Sequence, residues 1–149
     1  MDLKFLPYKF EPWINNYKHE LLFVGSTYYE KYNVFEHIKN QANNVLGFPV
    51  EKVELAFEED KLVNVWLFTN ENKMDELLDV LGVYFERKPI SIDFDDFLKP
   101  YNGIQFYWGD DECILGVGIK PKENRAFIYI TLKAANLYHI EFDDERKST

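Results

Sequence analysis

The stretch NVFEHIKNQANNVLG, residues 33–47, decides the fold class in which this chain is read. Val34, Phe35, Ile38, Ala42, Val45 and Leu46 recur at the 3.6-residue spacing that gathers apolar side chains on one helical stripe. Asn33 is a natural N-cap, and Glu36 three residues on completes a capping box. Gly47 supplies a C-terminal stop and Pro49 follows it. The spacing predicts a helix over 33–47, with His37 off the stripe and facing solvent.

Downstream the period changes from 3.6 to 2. Val53, Leu55 and Phe57 alternate with Glu54, Ala56 and Glu58, which predicts a strand with one face in a core. Glu59-Asp60-Lys61 reads as its turn. Residues 62–68, LVNVWLF, form the returning strand, apolar on both faces apart from Asn64. Such a strand is either covered on both sides or has one adhesive side. A second helix is expected over about 71–81, with Met74, Leu77, Leu78 and Leu81 on one face, Asn70 or Asn72 as cap and Gly82 as stop. A short strand over 83–86 and a helical turn over 91–98 follow in this reading. The last third reads as an antiparallel meander with strands over 104–108, 113–119 and 126–133, and a fourth over 137–142. Residues 109–112 and 120–125 make the turns.

Upstream, Pro7 and Pro12 interrupt residues 1–25, which read as a covering arm with a short strand over 20–24. The tail 143–149 is expected to fray. The fold class expected is therefore α+β: a single antiparallel sheet, hairpin plus C-terminal meander, with two main α-helices packed on one face. One domain spanning 1–149 suits a chain of 149 residues.

Composition narrows the function classes. The single cysteine, Cys113, allows no intramolecular disulfide, so a reducing, cytoplasmic setting is expected. The opening residues have no apolar core of signal-peptide length, and no stretch approaches a membrane span. The net charge is −9. Residues 1–50 balance their charges, so the whole excess sits in 51–149. A surface of that sign repels phosphate backbones, which argues against a nucleic-acid partner and for a basic one.

The densest chemistry lies over 93–118. Asp93, Asp95, Asp96, Asp110, Asp111 and Glu112 could pair for acid–base work or hold a divalent cation. The run 93–96 lacks the EF-hand glycine, and 110–112 sits where turn acids belong. Cys113 beside three acids is a poor nucleophile, because their charge disfavours the thiolate. No catalytic, cofactor-binding or metal residue is assigned. Gly116 and Gly118, two apart, flatten one face of their strand, and filling by a helix or large aromatics of the same chain is the simpler expectation beside an outside ligand. Aromatics make up 17% of the chain, enough that some are expected at a contact surface as well as in the core.

Asp95, Asp96, Tyr101, Tyr107, Trp108, Asp110, Asp111 and Glu112 are therefore the candidate partner-binding surface. The chain is read as a non-catalytic acidic binding protein of inhibitor or immunity type, acting on a basic protein partner. The alternative is a small-molecule-binding domain or enzyme with a pocket between sheet and helices, reaching Asp95, Tyr107 or Glu112. A homodimer formed through strand 62–68 is a third expectation.

Overall fold

The computed structural model describes residues 2–8, 14–17, 19–27, 32–38, 44–91, 104–120 and 123–132. Among them are nine strands and one α-helix. The fold is mainly β, and the expected α+β class with two main helices is overturned. The strands are β1 (Leu21–Thr27), β2 (Tyr32–His37), β3 (Asn44–Val45), β4 (Phe48–Glu58), β5 (Lys61–Thr69), β6 (Ile90–Ser91), β7 (Ile104–Gly109), β8 (Cys113–Lys120) and β9 (Arg125–Leu132). The helix, α1 (Met74–Phe85), lies between β5 and β6.

The correction begins at 33–47. Tyr32–His37 is a strand, paired antiparallel with β1 on one side and β4 on the other. Val34 lies across from Ala56, and Phe35 across from Leu55. The two residues that share a helical stripe in the sequence thus point to opposite faces of a sheet. Both directions bury apolar surface, so tertiary pairing overrides the helical pattern. Gly47 does have a left-handed backbone, with φ of 94°, but beside Leu46 at 51° it forms a two-residue turn. That turn joins β3 to β4, and Asn44 Oδ1 accepts from Gly47 N–H at 2.8 Å. A glycine with positive φ serves a helix stop and a hairpin turn alike. Residues 39–43 lie outside the described residues.

The main sheet runs β1-β2-β4-β5-β9-β8-β7-β6, every pair antiparallel, with β3 attached to β4. Two meanders are joined where β5 meets β9. The expected hairpin is β4–β5, and its turn residues Glu59 and Asp60 both take positive φ, 49° and 66°. The strand over 62–68 lies inside the sheet, with β4 on one side of β5 and β9 on the other.

Pairing sorts the side chains onto two faces. On the helix face, Leu55, Val65, Ile130, Leu115 and Trp108 form one cross-strand row. Leu77 and Leu81 of α1 join that row in a single buried cluster. Each fully buried Leu or Phe there stabilises by about 1.5–3 kcal/mol relative to exposure. On the far face, Phe68 and Phe127 lie side by side, as do Trp66 and Tyr129. This face is buried as well, and the apolar residues on both sides of β5 are explained by it.

The helix differs from its expected bounds. It begins at Met74 after Lys73, with no side-chain cap, and runs through Gly82 to Phe85. Its last turn takes up the expected strand 83–86, because Phe85 packs on Trp108 and Tyr84 on Phe5. Glu86 closes it in the left-handed conformation. The expected turn over 91–98 falls, apart from Ser91 in β6, outside the described residues, as do 137–142 and 143–149.

Candidate functional site

The acidic turn between β7 and β8 is built by Asp110. Its Oδ1 accepts from the N–H groups of Glu112 at 2.8 Å and Cys113 at 3.0 Å. Its own N–H donates to the Cys113 carbonyl at 3.1 Å. One of the three acids is therefore occupied in shaping the turn. Asp111 and Glu112 are exposed at its tip. The turn is fastened to the loop after α1: Arg87 Nη2 donates to the Gly109 carbonyl at 3.1 Å, and Trp108 Nε1 donates to the Arg87 carbonyl at 3.0 Å.

The aromatics expected beside these acids separate. Trp108 is buried on the helix face against Phe85. Tyr107 lies half-buried on the far face, across from Gly116. Asp95, Asp96 and Tyr101 are outside the described residues. Of the eight candidate residues, the structure thus brings together Asp110, Asp111 and Glu112 as one turn, with an Arg at its base. The glycine face is filled from within: a Cβ at Gly116 would stand 3.0 Å from Ile104 Cγ2. Cys113 is buried.

A groove of about 460 Å³ lies at the C-terminal end of α1, lined by Leu78, Asp79, Gly82, Val83 and residues 86–89. Neither Tyr107 nor Glu112 lines it. Among the described residues no group of three His, Cys, Asp or Glu side chains is placed to hold a metal ion. No helix there is long and apolar enough to cross a membrane.

The opposite end of the sheet carries the feature that the sequence did not show. β1 ends the strand order, with β2 as its one neighbour among the described residues. Leu22, Phe23, Val24 and, just past β2, Ile38 are each more than half exposed. Phe23 stacks edge-on against Phe35 at 5.4 Å between centroids. The register slips between Phe23 and Gly25, so Val24 is the extra residue of a bulge. No residue of β1 is charged. Exposed edge strands are commonly defended by charge, proline or a bulge; here the bulge stands alone.

Behind this edge, His37 is buried rather than solvent-facing. Its Nε2 lies 3.0 Å from Glu20 Oε1, and its Nδ1 lies 2.6 Å from the Tyr8 hydroxyl. The Glu20 carboxylate can only accept, so Nε2 is the donor of that pair, and in a neutral ring Nδ1 then accepts from the Tyr8 hydroxyl. Tyr17 completes the cluster, 5.4 Å from the His37 ring. Burial first, and then the charge of Glu20, push its phenol above the ordinary value. This carboxylate–imidazole–phenol chain ties residues 2–8 to the first hairpin. Its terminal hydroxyl belongs to a buried tyrosine, which suits a clamp rather than a group presented to a substrate.

No family model, no characterised protein and no solved structure matches this chain.

Proposed function

We propose that this chain is a non-catalytic acidic binding protein of inhibitor or immunity type, acting on a basic protein partner. The observation that carries the reading is the bare apolar edge formed by Leu22, Phe23 and Val24 of β1 together with Ile38. A contiguous exposed apolar strand marks an interaction site or an aggregation hazard. A partner segment lying along β1 would take main-chain hydrogen bonds and cover Phe23. The bulge at Val24 shortens any added ladder, so side-chain burial supplies most of the contact. The net charge of −9 favours approach by a cationic partner. The tip acids Asp111 and Glu112 add to that field.

The test is purification of the tagged chain from its native host, alongside Phe23→Asp and Val24→Lys. A stoichiometric basic protein is expected with the parent chain and not with either variant. Recovery of no such protein, or equal recovery by all three chains, overturns the reading. Val24→Lys at an exposed position is expected to change stability by no more than about 0.5 kcal/mol, and Phe23→Asp to cost about 0.5–1.5 kcal/mol through loss of the stack on Phe35.

Self-association at the same edge is a second reading. Because β1 is uncharged, a second copy can pair with it without opposing like charges. Sedimentation of the parent chain as a monomer at high concentration rules this second reading out.

A further inference from the structure

The pairing of β1 with β2 fixes what its open side offers. Ile38 N–H donates to the Glu20 carbonyl at 2.8 Å, in the register that pairs Leu21 with His37 and Leu22 with Glu36. Antiparallel pairs alternate between hydrogen-bonded and non-hydrogen-bonded. Glu20 and Leu22 therefore turn their main-chain groups inward to β2, while Leu21 and Phe23 turn theirs outward. No strand among the described residues lies on that outward side. The bulge at Val24 ends the alternation.

The side chains alternate too. Leu21 and Phe23 point to the helix face, where Leu21 packs at the rim of the core and Phe23 stands edge-on to Phe35. Leu22, 56% exposed, points to the far face. It lies opposite Glu36, and Glu36 in turn lies opposite Glu54. Like charges directly opposite each other weaken a sheet. Glu54 is answered by Lys52 at 3.3 Å. The Glu36 carboxylate, partly exposed, has no ion-pair partner among the described residues. The free edge thus borders one unanswered negative charge, on one face only.

Taking β1 as the contact edge proposed above, we infer that the partner presents an extended segment of the pattern apolar–basic–apolar, antiparallel to β1. The two apolar residues sit opposite Leu21 and Phe23 and cover them on the helix face. Their main chain bonds the outward N–H and C=O groups of those two residues. The basic residue between them lies opposite Leu22 on the far face, and its stem covers that leucine. Its head extends towards Glu36, two strand spacings or about 9–10 Å inward. That gap is within the joint span of a Lys or Arg side chain and a glutamate. A second copy of β1 brings no cation to this place, because no residue of β1 is charged.

The test uses the full chain and three disulfide-closed hairpin peptides, whose free strands read Thr-Ile-Lys-Ile-Thr, Thr-Ile-Gln-Ile-Thr and Thr-Ile-Glu-Ile-Thr. Closure orders the strand before it binds. The amide resonances of Leu21 and Phe23 are followed by NMR through each titration. All three peptides are expected to shift them. The lysine peptide is expected to bind about threefold tighter than the glutamine peptide, as for a partly exposed ion pair, and the glutamate peptide weakest. Glu36→Gln is expected to abolish the preference for lysine and to leave the affinity for the glutamine peptide unchanged. Equal affinities for the three peptides, or a lysine preference that survives Glu36→Gln, overturn the inference and leave the contact edge standing. No shift at Leu21 or Phe23 with any peptide overturns both.

Discussion

The two faces of this sheet are both buried, yet they are filled differently. The helix face is a row of aliphatic side chains and one indole under α1, and it meets its needs by packing. The far face mixes rings with Asn64, Thr131, two glycines and a cluster of cations. Asn64 is wholly buried there. In the amide orientation that satisfies both ends, its nitrogen reaches Tyr129 Oη at 3.1 Å and Thr131 Oγ1 at 3.2 Å, and its oxygen accepts from Val65 N–H at 3.2 Å. Packing tolerates many apolar sequences of suitable volume, whereas a buried polar network tolerates few. The helix face should therefore set how stable the protein is, and the far face how uniquely it is arranged.

The largest effect that would test this contrast is Leu81→Ala on the helix face. It should cost about 2–5 kcal/mol, read from urea unfolding midpoints, because the wholly buried leucine leaves a cavity. A loss below 1 kcal/mol would mean that α1 is not anchored there. On the far face, Asn64→Ala should cost about 1–3 kcal/mol by removing the buried amide's hydrogen bonds to Tyr129 and Thr131. It should also broaden the amide spectrum of β5 and β9, an effect not expected of Leu81→Ala. If both variants broaden alike, the distinction between the faces fails.

Smaller effects sharpen it. Gly116→Ala drives a methyl towards Ile104 Cγ2 and should cost about 1–2 kcal/mol. Combined with Ile104→Leu, which removes that branch, the cost should be less than additive in a double-mutant cycle. Additivity would show that the two side chains do not compete for space. The smallest change, Asp60→Gly, touches neither face. It relieves a positive φ in the β4–β5 turn and should raise stability by about 0.5–1 kcal/mol without altering either face's spectrum.

Much of the sheet was legible because its signals are local. The period-2 pattern of 53–57, the apolar run 62–68 and the turn at 109–112 each fall where strands and turns are found. The error at 33–47 has a physical cause. A strand buried on both faces needs apolar residues at adjacent positions, and Val34-Phe35 supply them, which also fits a helical stripe. Nothing within fifteen residues says that β1 and β4 will lie on either side. The sites were less legible still. Residues 20–24 read as a short strand of a covering arm, and only the strand order shows that β1 ends the sheet. Around Phe68, Lys120 and Arg125 meet across the local β8–β9 hairpin, but Lys52 joins them only because β5 pairs with β9. The acids at 110–112 were visible in the sequence, but which of Tyr107 and Trp108 faces the helix depends on register.

The pairing of β5 with β9 also governs how this protein must be made. β5 is complete by Thr69, yet its second neighbour begins at Arg125. While residues 70–124 are being synthesised, at about 5–20 residues per second, one side of this strand, apolar on both faces, lacks its β9 neighbour. Topologies that close so late fold slowly, because a long loop must be ordered before the contacts reward it. The nascent chain thus carries a transient adhesive edge at its centre for some seconds, in addition to the one that β1 presents among the described residues. Yield of folded protein should depend on translation rate and on chaperone supply more steeply than its finished stability alone would suggest.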